Sequence, residues 1–387
     1  MKLVFYSVIL NHHQACVADE FYQLLGDDYT FVEMQPIADR KGSTEDYSKR
    51  PYLLCAWESE ENRQMAFSLA RTSEVCVFSS VDALPFEKER LKLNLLSFDM
   101  DERPLKRGLI NVISPANLKT LVYYWSNGWH KKPLYKLCCS AFTKDDYYRL
   151  RMFKDKCYKW GYFTRVDEDF DVEASTDGPI SEITSLMWCS RFLVWKHPEL
   201  PVQMAKKLKD KGYKFQLTMY GDEGNAAKHD KVYPRKQLEA LIAKLGVNDC
   251  VQLMGNRPNN EILDAMKQSS VFLFTSDRLE GWGAVANESM ANGCALIASD
   301  AIGSSPYLIE NGVNGYMFKS GDVESLCDVV QILLDNKQKM IDIQENAYNS
   351  LNTYWSPQNA AKSLLSLISS IKSGRMEAPS KGPCSLA

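Results

Sequence analysis

The chain predicts an α/β architecture of two doubly wound domains, and three observations carry that expectation. Short apolar runs alternate with longer stretches of helical period, the pattern of parallel strands covered by helices. The 387 residues suffice for two cores of ordinary size. An acidic segment from Thr164 to Gly178, short of apolar residues and without a clear period, interrupts the alternation. The domains are therefore placed at 1–165 and 179–356, with a linker at 166–178.

In the first half, strands are expected at 3–10, 29–34, 52–57, 75–79, 93–98 and 134–140, with helices at 14–25, 60–70 and 144–153. The opening run resembles the apolar stretch of a secretion signal, but it stops at Asn11-His12-His13 with no small-residue cleavage pattern behind it. It is expected to be the first buried strand. In the second half, strands are expected at 183–189, 215–220, 251–255, 271–275 and 295–299. Helices are expected at 199–211, 235–245, 260–268 and 283–292, followed by two more at 323–334 and 337–354. After Trp355-Ser356-Pro357 an amphipathic stretch at 360–371 marks a last helix within 357–373, and 374–387 is expected to be a disordered tail.

Composition excludes several classes. A net charge of −3 gives no electrostatic sign of nucleic-acid binding. The eleven cysteines, many inside apolar runs, lack paired metal-ligand spacings and fit reduced core residues of a cytosolic protein, with no metal site. No apolar stretch reaches the roughly 18 residues that a membrane span requires.

The most informative feature is the pair Glu280 and Glu288, directly after the apolar run 271–275. A carboxylate in the loop beyond a buried strand and a second two turns into the following helix can face one crevice, where open α/β sheets bind ligands. Carboxylates so placed suit sugar and ribose hydroxyls. Gly281 and Gly283 permit a tight turn, and Ala286, Ala291 and Gly293 permit close helix packing. A solvated helix face would need none of these.

This pattern resembles the paired-glutamate motif of retaining glycosyltransferases of the GT-B architecture, and among them the large family 4, including its bacterial surface-polysaccharide members. The resemblance is strong over 183–318 and looser over the first half. It implies two Rossmann-like domains facing a cleft, with the C-terminal helix crossing back to the first. Glu280 would contact the transferred sugar, and Glu288 would hold the donor ribose. Arg191 and Lys196, just beyond the second domain's first strand, match the cations that neutralise the donor diphosphate; fixed cations stabilise such a leaving group without reorganisation. The backbone of Gly281, Trp282 and Gly283 would lie beside sugar and diphosphate, Trp282 standing where the family commonly has Phe. Gly221 matches the turn that approaches the nucleotide, and Asn256 and Arg257 stand where the family packs the base.

The first half departs from the family. Asn11-His12-His13-Gln14 joins the first strand to the first helix where a glycine-rich loop is usual, so side-chain contacts by His12, His13 or Gln14 replace a backbone cradle. Glu102 and Arg103 lie in a loop of mixed charge and are either acceptor-side residues or a solvated turn. The implied reaction moves a sugar from a nucleoside-diphosphate donor to a glycan or lipid-linked acceptor, with retention, without a cofactor or metal, in polysaccharide biosynthesis. Rival readings are a sugar-nucleotide epimerase on the same plan and a catalytically silent binding subunit. Another is a metal-dependent GT-A transferase that presents Asp99 and Asp101 after the strand at 93–98.

Tyr123, Tyr124, Trp125 and Trp129 run into Lys131 and Lys132, and basic residues recur at Arg149, Arg151, Lys154, Lys156 and Lys159. These residues are either a core with a solvated basic face or a peripheral contact with the inner membrane face.

Overall fold

The computed structural model describes residues 1–36, 47–108, 112, 115–165, 170–172, 183–224 and 230–387. The chain divides into two compact units, Met1–Arg165 with Tyr354–Ala387, and Val166–Thr353. The expected linker at 166–178 lies outside the described residues except for 170–172.

Unit 1 carries seven strands: β1 (Leu3–Ser7), β2 (Tyr29–Glu33), β3 (Leu53–Cys55), β4 (Val75–Ser79), β5 (Ser97–Asp101), β6 (Leu134–Cys138) and β7 (Cys157–Lys159). They form one parallel sheet in the order β3-β2-β1-β4-β5-β6-β7. All five residues of β1 are buried, as expected of a central strand covered on both faces. The first helix, His12–Leu25, starts where Asn11 Oδ1 accepts from the amides of His13 and Gln14, both at 3.1 Å, and stops at Gly26 with φ +57°. The last helix, Pro357–Lys372, is capped by Ser356, buries Ala360, Leu364, Leu367 and Ile368, and packs against His12–Leu25. The C-terminal helix thus belongs to the first domain, as the resemblance implied.

Two expectations for this unit are corrected. The strand placed at 93–98 is displaced: Leu84–Lys92 is a helix with a proline in its first turn, the chain turns at Asn94 with φ +57°, and β5 begins at Ser97. Apolar residues of the helix end run into those of the strand, so periodicity alone cannot divide them. Asp99 and Asp101 therefore lie within a strand and not after one.

The segment 374–387, expected to be a disordered tail, ends in a packed stretch, with residues 382–385 buried. Cys384 is fully buried, its amide donates to the Lys159 carbonyl (2.7 Å), the Lys159 amide donates to Ser385 O (2.8 Å), and Leu386 forms an antiparallel bridge with Tyr158. β7 is an edge strand, and this segment pairs its open side. The polar composition of the segment gave no sign of such pairing.

Unit 2 carries β8 (Thr184–Cys189), β9 (Phe215–Tyr220), β10 (Val251–Gly255), β11 (Val271–Phe274), β12 (Ala295–Ser299) and β13 (Tyr316–Phe318). They form a parallel sheet in the order β10-β9-β8-β11-β12-β13. Relabelled from its own first strand this is 3-2-1-4-5-6, the order of dinucleotide-binding sheets. Leu186, Leu217, Leu273 and Ile297 of the strands join Met204, Leu208, Leu326 and Val330 of the flanking helices in one core. Chain order reverses between β8 and β11, so the loops leaving their carboxyl ends diverge and leave a crevice there.

Candidate active site

The two loops that diverge at this reversal are tied to each other by hydrogen bonds. The Thr275 hydroxyl donates to the Lys196 carbonyl (2.7 Å) and accepts from Trp188 Nε1 (2.8 Å), while the Asp277 amide donates to the Trp195 carbonyl (2.9 Å). These ties bring the Lys196 ammonium into an ion pair with Glu280 Oε2, each residue only 9% exposed. Ser276 Oγ donates to the same oxygen at 2.9 Å. The rings of Trp195 and Phe274 lie 4.3 and 5.8 Å from the ammonium and exclude water from it. Among the described residues both bonds to Glu280 converge on Oε2, which leaves Oε1 as an acceptor for a hydroxyl ligand. A buried pair of this kind holds its geometry, because separating it strands two charges in low dielectric.

Next to Lys196, His197 adopts a left-handed backbone, φ +51°, and is braced on both ring nitrogens. Nδ1 lies 2.9 Å from Glu199 Oε1 and Nε2 lies 3.7 Å from Asp277 Oδ2. Asp277 and Glu199 together raise its pKa to about 9, against the opposing effect of burial. Asp277 Oδ1 also accepts from the Leu279 amide (2.8 Å), which shapes the turn leading to Glu280. Ser276, Asp277 and His197 were not legible as site residues in the sequence. The strained φ and the contacts that make them matter have no local sequence signal.

Gly283 is required by space and by backbone. Its φ is +80°, and a Cβ there would stand 2.3 Å from Phe274 Cζ. The loop can therefore fold back on the end of β11 before the helix Val285–Ala291 begins. Gly281 and Trp282 are buried in that fold-back. The Trp282 side chain points inward, fully buried, with Nε1 donating to Asn287 Oδ1 (2.8 Å) and its ring 6.1 Å from that of Tyr307. Its role is to anchor the loop.

Glu288, on the helix, makes no side-chain hydrogen bond or ion pair among the described residues, and burial raises its carboxyl pKa to about 7. It lies near the end of β8: burial, and secondarily the charge of Glu288, push the Cys189 thiol up to about 12.

Gly221, with φ +121°, lies at the end of β9 where a Cβ would stand 1.9 Å from the Ser190 carbonyl oxygen. The turn after β9 is thereby pressed against the loop after β8, and the Phe192 amide donates to Asp222 O (2.8 Å). Arg191 is exposed, and its stem lies against Gly224. Asn256 and Arg257 are exposed beyond β10, the edge strand two places from β8, with Arg257 near Glu261 (3.9 Å).

In unit 1, His12 and His13 open the first helix with ring centroids 3.7 Å apart, and burial lowers both pKa values, His13 to about 3. Gln14 Nε2 donates to Ser7 Oγ (3.0 Å) at the end of β1. His13 and Gln14 line a cavity of about 10 Å³ with Trp160 and Tyr162, and His13 Nδ1 and Gln14 Oε1 have no hydrogen-bond partner among the described residues. That is room for about one water molecule.

Glu102 accepts from Tyr162 OH (3.0 Å) and Lys106 Nζ (3.2 Å). Arg103 is clamped by Asp146, with Nε to Oδ2 at 3.2 Å and Nη2 to Oδ1 at 3.3 Å, over the ring of Phe142. Asp99 and Asp101 both pair with the fully buried Lys136, each at 2.9 Å, and Tyr147 OH donates to Asp101. An ammonium already stands where the GT-A reading would put a divalent ion.

The family model described as "Glycosyl transferases group 1" matches residues 184–350. Unit 2 carries a glycosyl transferases group 1 domain. Curated relatives include the amylovoran biosynthesis glycosyltransferase AmsK of Erwinia amylovora, 26% identical over 174 residues, which cover 43% of this chain and 40% of that one. A D-inositol 3-phosphate glycosyltransferase of Corynebacterium urealyticum is 24% identical over 196 residues, 51% of this chain and 42% of that protein. The chain thus spans about two fifths of the length of these relatives.

Among solved structures, Anabaena Alr3699/HepE in complex with UDP superposes with a TM-score of 0.69 at 15% identity, covering 96% of this chain and 100% of that one. Sucrose-phosphate synthase of Thermosynechococcus elongatus gives 0.63 at 15% identity, covering 97% and 100%. The group 1 match and these full-length superpositions identify the fold as that of GT-B glycosyltransferases, built from two Rossmann-like α/β domains.

Proposed function

We propose that the chain is a retaining glycosyltransferase that moves a sugar from a nucleoside-diphosphate donor to a glycan or lipid-linked acceptor in polysaccharide assembly. The observation that carries this reading is the Lys196–Glu280 pair beyond β8 and β11, at the reversal of chain order, with no hydrogen bond to Glu280 Oε1 among the described residues. The group 1 domain supports it, as do AmsK, which acts in amylovoran biosynthesis, and HepE, which was solved with UDP and with UDP-glucose.

In this reading Lys196 and Arg191 neutralise the departing diphosphate, and Glu280, held by Lys196 and Ser276, accepts hydrogen bonds from the transferred sugar. Glu288 takes the ribose hydroxyls. The acceptor oxygen bonds to the anomeric carbon on the face from which the diphosphate leaves, the bond to the phosphate oxygen breaks, and the acceptor proton passes to that oxygen. No metal is needed, because the two cations supply the charge a metal would supply.

A thermal-shift screen of nucleoside-diphosphate sugars selects the donor, since a ligand at 100 times its Kd stabilises by about 2.7 kcal/mol. NMR of the product made with that donor then reads the anomeric configuration. Retained configuration and activity undiminished in excess chelator are expected; inversion, or rescue of a chelated enzyme by manganese, rejects the mechanism.

A further inference from the structure

The helix Pro115–Ser126 leaves apolar residues facing solvent. Leu118, Val122 and Trp125 are 47%, 54% and 43% exposed, and their spacing of four and three residues places them in one stripe. The inner face is packed: Tyr124 is buried, its hydroxyl accepts from the Phe153 amide (2.9 Å), and Leu121 rests on the cluster containing Trp129. The aromatic run noted in the sequence therefore divides, with Tyr124 and Trp129 in the core and Trp125 outside.

Basic residues surround this stripe. Lys119 is exposed on the same helix and Lys131 on the turn beyond it. Arg149, Arg151 and Lys154 are exposed on the segment that the Tyr124–Phe153 bond holds against the helix. Lys156 fastens the same segment from its other end, donating to the carbonyls of His130 (3.2 Å) and Lys132 (2.7 Å). The acidic groups exposed on that segment are Asp145 and Asp155, so cations prevail. A second copy of the chain is a poor occupant for this face, since docking would bring like charges together. A surface with an apolar interior and anionic headgroups matches both the stripe and its surroundings.

We propose that this face docks on a lipid surface carrying anionic headgroups, with Leu118, Val122 and Trp125 entering the acyl boundary and the five cations lying at headgroup level. The inference goes beyond the glycosyltransferase reading and does not depend on which acceptor is used. The test is co-sedimentation of the intact chain with vesicles of equal parts phosphatidylglycerol and phosphatidylcholine, and with phosphatidylcholine alone. Binding is expected on the mixed vesicles, reduced by high salt.

Val122→Glu with Trp125→Glu should lower partitioning roughly tenfold or more. Ala at Lys131, Arg151 and Lys154 should lower it by about fivefold for each charge removed. Val122→Ser with Trp125→Ser, with an unchanged circular-dichroism melt, separates lost docking from lost folding. The proposal is overturned by absence of binding to mixed vesicles, or by binding that survives the apolar substitutions. It is also overturned if the intact chain self-associates in sedimentation equilibrium without binding vesicles and the Val122/Trp125 variants dissociate it.

Discussion

In unit 2 an ion pair lies in loops beyond the strand ends, Lys196 after β8 with Glu280 after β11; in unit 1 one lies inside the strands, the buried Lys136 on β6 with the half-buried Asp99 and Asp101 on β5. Lys136 meets two carboxylates and a tyrosine hydroxyl and is fully buried, and Asp101, like Glu280, receives both its bonds on one oxygen. Charges on neighbouring strands neutralise one another across the sheet, although Asp101 Oδ1 has no hydrogen bond among the described residues. Charges on loops are held by the sheet yet keep an open lone pair, which is why loops on a rigid scaffold carry chemistry. The glycines follow the same division: Gly221 and Gly283 let unit 2 loops approach the strand ends closely, while the loop after β1 has none.

Lys136→Met should give the largest effect. It leaves Asp99 and Asp101 without their buried counter-charge and should destabilise by about 3 to 5 kcal/mol in urea unfolding. Any molecules that remain folded should retain kcat. A folded Lys136→Met protein with impaired turnover would move the chemistry into unit 1 and break the comparison.

Lys196→Met should lower kcat/KM by an amount equivalent to about 2 to 4 kcal/mol, and it should also destabilise, since Glu280 is buried. Adding Glu280→Gln should recover the melting temperature but not turnover. Recovery of both would mean that the pair serves stability alone. Steady-state kinetics can divide the two glutamates further: Glu280→Ala should chiefly lower kcat, and Glu288→Ala should chiefly raise the donor KM.

His197 predicts a pH dependence of smaller size. Its folded pKa of about 9 exceeds the usual 6.5, so the contribution of Asp277 and Glu199 to stability is fully present below 6.5 and is lost as pH rises through 9. On the order of 1 to 3 kcal/mol should disappear across that window, allowing for partial screening, and His197→Gln should remove that part of the slope. A wild-type stability curve flat from pH 6.5 to 9 would show that the brace does not form.

Trp282→Phe should have the smallest effect, about 1 to 2 kcal/mol of stability. It leaves Asn287 Oδ1 buried without its donor while the ring still fills the loop. Urea midpoints can resolve it, and a turnover loss larger than the stability loss would give the indole a contact with substrate.

The strands of unit 2 were legible because a parallel strand buried on both faces is apolar nearly throughout, as at 271–274 and 295–299, and because a half-buried one alternates, as at 215–220. β7 and β13, three residues each, are too short to show a pattern, and the helices Leu84–Lys92 and Pro115–Ser126 were not singled out. At the site, Glu280 and Glu288 were legible from their frame of strand, glycines and helix. The partnership of Lys196 with Glu280 was not. Arg103 had the composition of a ligand-binding loop, and only its two bonds to Asp146 show where its charge is engaged.

The sequence by itself determined the alternation of strands and helices, its division into two parts, and the loop and helix that carry Glu280 and Glu288. Periodicity, glycine content and turn chemistry are local properties, so these features can be read within a window of a dozen residues. The tertiary structure alone decided that Lys196 meets Glu280 across 84 positions, that Lys136 takes the two aspartates of β5, and that 384–387 pairs with the edge of β7. Each of these depends on which strands become neighbours. Strand order arises from burying the whole sheet at once, and no local segment encodes it.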